Sequence, residues 1–186
     1  MHIHLRAYLW YKLLNSLFFG LTVGSIFVLY TPLEPSVFSL GGIVLAIGLL
    51  FVAKGYEKMM NLLVFYYVTL LVEGITLLLI LVFLGFHFNY ATALFIYCSY
   101  QFTFIFGNYL VRVETLVLKR ATLLSFADVM KQKGYLMGMV LSYLFYKVLE
   151  YAGIGEKQVQ VYYLHGGLVL LQIVIILFVL RAFRSR

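Results

Sequence analysis

Two ionisable residues lie within apolar stretches, where a charge is costly. Glu73 stands near the middle of residues 60–85, and Lys147 stands two-thirds of the way along residues 135–154. Such a residue costs roughly 2.5–3.5 kcal/mol on insertion scales, so it usually faces protein or water. Both lie about 20 Å from the start of their stretch, at about 1.5 Å per residue. Glu73 and Lys147 are therefore possible partners, with Glu150, one helical turn from Lys147, as the alternative.

The chemistry open to such residues is structural pairing, or the handling of a substrate or of protons. A carboxylate that faces a cavity without a cationic partner is a candidate for proton coupling, because desolvation favours its protonated form. We therefore consider both a structural and a transport role for Glu73 and for Lys147.

A second set of polar side chains repeats along one stretch of the sequence. Tyr97, Gln101, Asn108 and Arg112 are spaced by four, seven and four residues, which places them on one face of an α-helix. Amides and hydroxyls at membrane depth line a polar cavity or hold helices together. With Asn15 in the first apolar stretch, the candidates for a substrate path or for coupling are Glu73, Lys147, Gln101, Tyr97, Asn108 and Asn15.

The next charged residues along the chain, Arg112, Glu114 and Asp128, are candidates for a cytoplasmic gate. The simpler interpretation is that Arg112 and Glu114 form a charge cluster at the membrane interface. Across residues 113–131, apolar residues recur at helical spacing with Lys and Arg interspersed. We predict an amphipathic helix over residues 113–131 on the inner leaflet, either as an anchor or as a coupling element, with a partial extension of the preceding apolar stretch as an alternative.

The elements that position these residues are predicted to be membrane helices. The chain has 186 residues, of which 64% are hydrophobic and 11% charged, against about 25% charged residues in soluble domains. A helical span requires about 20 apolar residues. We predict an all-α membrane protein that forms a single domain over residues 1–186, with six spans at about 9–31, 35–53, 60–85, 89–111, 135–154 and 160–181.

The distribution of Lys and Arg predicts the orientation. One side of the predicted bundle collects 12 of the 14 cations, the other side has only Lys157, and Lys147 lies within a span. The positive-inside rule then places both termini in the cytoplasm. We expect an integral protein of the bacterial inner membrane. The net charge of +7 is explained by membrane topology, so nucleic acid is not an expected partner, whereas the lipid bilayer is.

Several classes of site are not indicated by the sequence. The motifs of metalloproteases, serine hydrolases and P-loop nucleotide binding are absent from it. His2 and His4 are weak evidence for a metal site, and His87 and His165 are expected near the outer surface. Cys98 is the only cysteine and is interpreted as a packing residue. We predict that the protein is not an enzyme and has neither a metal nor a cofactor.

Small residues at four-residue spacing mark two further helices. Gly20 and Gly24 in the first span, and Gly134 and Gly138 at the start of the fifth, match the pattern that allows close helix approach. Helix packing is the first interpretation of these pairs, and flexing during transport is the alternative.

Taken together, six spans, termini on one side, a long basic connection between spans four and five, and the stretch from Asp128 to Gly138 resemble one half of a major facilitator superfamily transporter. The loop Lys54-Gly55-Tyr56-Glu57-Lys58 has the glycine and charges, but not the aspartate, of the family's signature between spans two and three. The resemblance implies two inverted three-helix repeats in each six-helix half, and two halves around a central path.

Our leading hypothesis is a half-size secondary transporter that acts as a parallel homodimer, by alternating access, on an unknown small molecule. One alternative is the membrane-embedded solute-binding subunit of a multi-component transporter. Another is a scaffold protein that transports nothing.

Overall fold

The computed structural model describes residues 2–86 and 88–184. His87, and Arg186 as one of the 12 cations counted above, therefore lie outside the described residues. The described chain is almost entirely helical, with two short strands near its ends. The elements are β1 His2–Ile3, α1 Leu5–Leu29, α2 Pro35–Lys54, α3 Tyr56–Met59, α4 Leu62–Gly85, α5 Tyr90–Ile105, α6 Gly107–Leu118, α7 Ala121–Tyr151, α8 Lys157–Ala182 and β2 Phe183–Arg184.

Polar residues and a proline define where the long helices begin. The side chains of Asn61 and Asn89 accept hydrogen bonds from the backbone N–H groups of Val64 and Thr92, both at 3.0 Å. Such caps satisfy N–H groups that have no partner within the helix. Pro35 occupies the first turn of α2, where its missing N–H has no cost.

Five of the six predicted spans correspond to helices that are long and apolar enough to cross a membrane: α1, α2, α4, α5 with α6, and α8. This supports an all-α membrane protein. The predicted fifth span lies within α7, a helix of 31 residues that also contains Asp128, Lys131 and Lys133. Tyrosines and the pair Lys147 and Glu150 dilute its apolar character.

The predicted helix over residues 113–131 is not a separate element in the structure. Its first part belongs to α6 and its second part to the N-terminal turns of α7. Lys119 divides the two, because its φ of 54° lies in the left-handed region, which ends an α-helix. The basic stretch therefore contains a sharp turn, and α7 continues without a break into the predicted fifth span.

Helices α1 and α7 pack in parallel through glycine. A Cβ on Gly134 would collide with the carbonyl of Leu13, and one on Gly138 with the Cα of Gly20. Further along, the Ser142 hydroxyl donates to the carbonyl of Leu21 at 3.0 Å. Residue numbers rise together on both helices, so residues 134–142 of α7 lie beside residues 13–21 of α1.

Helices α2 and α5 form a second parallel pair that also depends on glycine. Gly41 faces the ring of Tyr97, and Gly48 faces Ile105. The Tyr97 hydroxyl donates to the carbonyl of Phe38 at 3.2 Å. In this pair α2 supplies the glycines, whereas in the first pair both helices do, with Gly20 on α1 against Gly138 on α7.

The core lies between α1, α4 and α8. Helix α8 runs antiparallel to α4, because Gln172 contacts Glu73 whereas Tyr162 and His165 contact Phe83. Most of the deeply buried side chains come from these three helices and from α6. In contrast, α2 has no buried residue.

The two ends of the described chain meet. His2 pairs with Arg184, and Ile3 with Phe183, in an antiparallel strand pair. The N–H of His4 donates to the carbonyl of Ala182 at 2.8 Å. The ring of Phe183 is buried, with its centroid 5.3 Å from that of Phe65. Both ends therefore lie at the same end of the helix bundle.

Candidate functional site

Glu73 is the centre of a buried hydrogen-bond network. It is 2% exposed, and its Oε1 accepts from the Tyr11 hydroxyl at 2.9 Å and from the Asn15 amide at 2.8 Å. Its Oε2 accepts from the Gln172 amide at 2.8 Å, and that amide also donates to the Glu73 backbone carbonyl at 3.0 Å. All the donors are neutral, so the site satisfies a carboxylate without supplying a counter-charge.

Three helices place these groups at one depth. Tyr11 and Asn15 are four residues apart on α1 and therefore share one face. Glu73 lies 11 residues from the start of α4 at Leu62, about 16 Å along its axis at about 1.5 Å per residue. A hydrocarbon core is about 30 Å thick, so Glu73 lies near the middle of a bilayer that α4 crosses.

A charged pair lies about one helical turn from this network. The Lys12 ammonium is 2.9 Å from Oε2 of Glu114 on α6. The two side chains are only 18% and 12% exposed. The second oxygen of Glu114, Oε1, is buried and has no hydrogen-bond partner among the described residues.

A cavity of about 220 Å³ joins the network to the charged pair. It lies between α1, α4, α5 and α6, and α7 contributes Lys131 at its edge. Phe19, Phe104 and Val111, which are between 41% and 56% exposed, line its open side. The polar groups that line it are Tyr11, Lys12, Asn15, Ser16, Thr69, Glu73, Thr76, Tyr100, Thr103, Glu114 and Lys131.

The structure answers the question of a Glu73–Lys147 pair. The ammonium of Lys147 lies 2.6 Å from Oε2 of Glu150, and both side chains are about half exposed. Glu73 faces α1 and α8 instead. Lys147 therefore takes the alternative partner on its own helix, because its face of α7 points away from the core.

The predicted stripe of four polar residues divides at the break between α5 and α6. Tyr97 and Gln101 face α2, where they line a second, mostly apolar cavity of about 220 Å³. The Oε1 atom of Gln101 is buried without a partner in the described chain. Asn108 and Arg112 are exposed. Of the predicted path residues, the cavity at Glu73 therefore brings together only Glu73 itself and Asn15.

The predicted Arg112–Glu114 cluster is wrong as a contact. The Arg112 guanidinium lies over the ring of Tyr56, 5.9 Å from its centroid, whereas Glu114 turns inward to Lys12. Residues two apart on a helix point in different directions. Asp128 is exposed on α7, and its predicted gating role stays a prediction.

The histidines and the cysteine take other positions. His165 is 3% exposed, with its ring against Phe83 at 4.4 Å between centroids. It is packed in the core between helices, and its expected place near the outer surface of the membrane stays a prediction. His4 caps α1, since its Nδ1 accepts from the N–H of Ala7 at 3.3 Å. Cys98 is exposed on α5, not buried as the packing interpretation would suggest.

Sequence reasoning missed Tyr11, Lys12 and Gln172, which complete the site. A signal for the first two was present, because Tyr11 and Asn15 have helical spacing and Lys12 lies early in an apolar stretch. Gln172 is an isolated amide in the apolar helix α8, and its position in that run was the available signal. Its alignment with Glu73 depends on the rotation of α8, which the sequence does not reveal.

No protein-family model, curated protein sequence or solved structure matches the chain. The functional argument therefore depends on the geometry of the site and of the helix bundle.

Proposed function

We propose that this protein is a secondary transporter of the major facilitator type, in which six helices form one half and a second copy forms the other. Helices α1, α2, α4, α5 with α6, α7 and α8 are then spans one to six, with both termini in the cytoplasm of a bacterial cell. The substrate passes between the two copies by alternating access.

The observation that carries the proposal is the exchange symmetry of the helix packing. Span one packs on spans five and six, and span four packs on spans two and three. Exchanging spans one, two and three with four, five and six converts each of these contacts into another observed contact. The pairing of span three with span six maps onto itself.

The direction of the helices supports the same symmetry. Spans one and five are parallel, as are spans two and four, and in each pair the span in the middle of its repeat supplies glycines, to which span one adds Gly20. Two inverted three-helix repeats would produce this arrangement. This arrangement also requires α7 to cross the membrane as span five, since its residues 134–142 lie beside the middle of span one.

The exposed helices suggest where the second copy binds. In the exchange, α2 corresponds to α7, and these two helices leave broad apolar faces uncovered. The open side of the Glu73 cavity lies between α1 and α7 on one side and α5 and α6 on the other. A partner related by a two-fold axis along the membrane normal would cover this opening and place two cavities opposite each other.

In this proposal, Glu73 is the coupling group. Its carboxylate lies at mid-membrane, faces a cavity and receives three hydrogen bonds from neutral groups. Gain or loss of a proton there changes the charge of the cavity by one unit without breaking an ion pair. Lys12 and Glu114 would hold α1 against α6 during this change.

The experiment combines dimer contacts with accessibility. In a Cys98→Ala background, we expect Val44→Cys on α2 and Val140→Cys on α7 to cross-link between copies in lipid. Thr103→Cys, which lines the cavity, should react with a membrane-impermeant thiol reagent from either face of the membrane. A monomer in nanodiscs, or reaction of Thr103→Cys from one face only, would contradict the proposal.

The second candidate is a solute-binding subunit of a multi-component transporter. It is favoured by the fact that the cavity already has walls from four helices of a single copy. A monomer that retains a ligand and co-purifies with an ATPase would support this candidate. A scaffold protein would show neither flux nor ligand binding.

A further inference from the structure

The deep end of the Glu73 cavity contains a carboxyl group that no described cation contacts. Glu73 forms no ion pair with a described residue, and Lys12 acts on it only at longer range. Lys12 is instead in contact with Glu114. The remaining cation of the lining, Lys131, is exposed at the cavity edge on α7.

Glu114 supplies a second, independent indication of a missing partner. The residue is 9% exposed, and its Oε1 is buried without a hydrogen bond in the described part of the chain. The Tyr8 hydroxyl lies close to the same carboxylate without satisfying this atom. A buried acceptor left unpaired costs about 1–3 kcal/mol, so a cationic ligand that also has an O–H or N–H donor would remove a cost that already exists.

Aromatic rings form much of the remaining wall. Rings attract organic cations through their negative faces, by about 0.5–2 kcal/mol each. A carboxylate beside several rings is therefore suited to an ammonium group that carries carbon substituents. The rings that line the cavity are those of Tyr8, Tyr11, Phe18, Phe19, Phe65, Tyr100 and Phe104.

The size of the cavity limits the ligand. Its volume of about 220 Å³ corresponds to roughly seven water molecules at about 30 Å³ each. Pockets for drug-sized molecules measure about 300–1,000 Å³. One copy therefore accommodates a small cation and not a large dye or drug.

We propose that this cavity binds a small organic cation with a substituted ammonium group, placed between Glu73 and Glu114 and against the rings of Tyr11 and Tyr100. The proposal rests on the transport function, of which it names the substrate class. Glu73 supplies the uncompensated charge, and Glu114 supplies the free acceptor atom.

The test compares two probes that differ in charge and not in shape. Choline and its neutral isostere 3,3-dimethylbutan-1-ol have the same branched body, and radiolabelled choline is measured by equilibrium dialysis against the purified full chain. We expect saturable choline binding that excess tetramethylammonium displaces and the neutral alcohol does not. Glu73→Gln should weaken binding by roughly tenfold or more, a factor well above measurement error.

A matched control has the same loss of charge outside the cavity. Glu150→Gln, on the exposed face of α7, should bind choline with unchanged affinity. If Glu73→Gln does not fold, the competition between tetramethylammonium and the neutral alcohol provides the same test on the native chain. Displacement by the alcohol at concentrations similar to those of tetramethylammonium, or the absence of choline binding at millimolar concentration, would overturn the proposal.

The outcomes separate this proposal from the transport function. A dimer with a two-sided accessible cavity that binds neither cation would overturn the substrate class and leave transport standing. Charge-selective binding by a monomer with a one-sided cavity would support the cation site and overturn the transporter.

Discussion

The amide of Gln172 and the carboxylate of Glu73 join two helices that are 99 residues apart in the sequence. Gln172 Nε2 lies 2.8 Å from Oε2 of Glu73 and 3.0 Å from its backbone carbonyl. Gln172 is completely buried, and its own Oε1 has no partner among the described residues. The amide is therefore used entirely as a donor, and its geometry suits an ionised carboxylate.

We predict that Gln172→Leu destabilises the protein by about 1.5–3 kcal/mol. The substitution removes a hydrogen bond to a charged group while preserving most of the side-chain volume. Thermal unfolding in detergent, followed by the loss of the monodisperse peak in size-exclusion chromatography, measures the effect.

The control for this change is Gln132→Leu, since Gln132 is exposed on α7. It should leave the unfolding temperature unchanged. Equal stability of Gln172→Leu and the native chain would mean that the contact with Glu73 contributes nothing to the fold.

Substitution of Gly138 by alanine should loosen or displace α7. A Cβ there would collide with the carbonyl of Leu17 and the Cα of Gly20, both backbone atoms that cannot rotate away. Overpacking of this kind costs about 1–3 kcal/mol. The measurement is the unfolding temperature, compared with Gly166→Ala on α8, where a Cβ meets no atom within 4 Å.

The Lys12–Glu114 pair should show strong coupling in a double-mutant cycle. Removing one partner of a buried pair leaves the other charge uncompensated and costs about 3–5 kcal/mol. These side chains retain some exposure, so we expect the lower part of that range for Lys12→Met and for Glu114→Gln. The double variant should recover much of the loss, and additive losses would contradict the contact.

Neutralising the pair on α7 should have little effect. Lys147 and Glu150 are about half exposed, and exposed ion pairs contribute about 0–1 kcal/mol. Lys147→Gln should unfold within a few degrees of the native chain and bind choline equally well. A large loss of either property would return Lys147 to the group of site residues.

The sequence was informative about how far along its helix a residue lies. It was much less informative about which neighbouring helix the side chain faces. The run of apolar residues around Glu73 was sufficient to predict its position near the middle of a long apolar helix and to identify it as a candidate. Its partners depend on the rotation of α1 and α8 about their axes, which is set by packing across the whole bundle. The proposed Glu73–Lys147 pair failed for this reason, since equal depth does not mean facing sides.

The helix ends show the same limit. Residues 113–131 have amphipathic spacing, and that spacing is present in the folded chain, but a left-handed residue at Lys119 divides it between α6 and α7. A lysine is not a usual signal for such a conformation. In contrast, α2, α4 and α5 begin within two residues of the predicted span starts at 35, 60 and 89, beside Pro35, Asn61 and Asn89.

The strand pair between His2–Ile3 and Phe183–Arg184 restricts how the molecule moves. It joins the N-terminal end of α1 to the C-terminal end of α8, and the glycine contacts join α7 to the middle of α1. We therefore expect these three helices to move as one rigid unit, because α1 and α8 cannot separate at their joined ends without breaking the strand pair. Opening of the cavity at this end of the bundle then requires α5 and α6 to move away from α1. Helix α2 would move with α5 because of their glycine contacts.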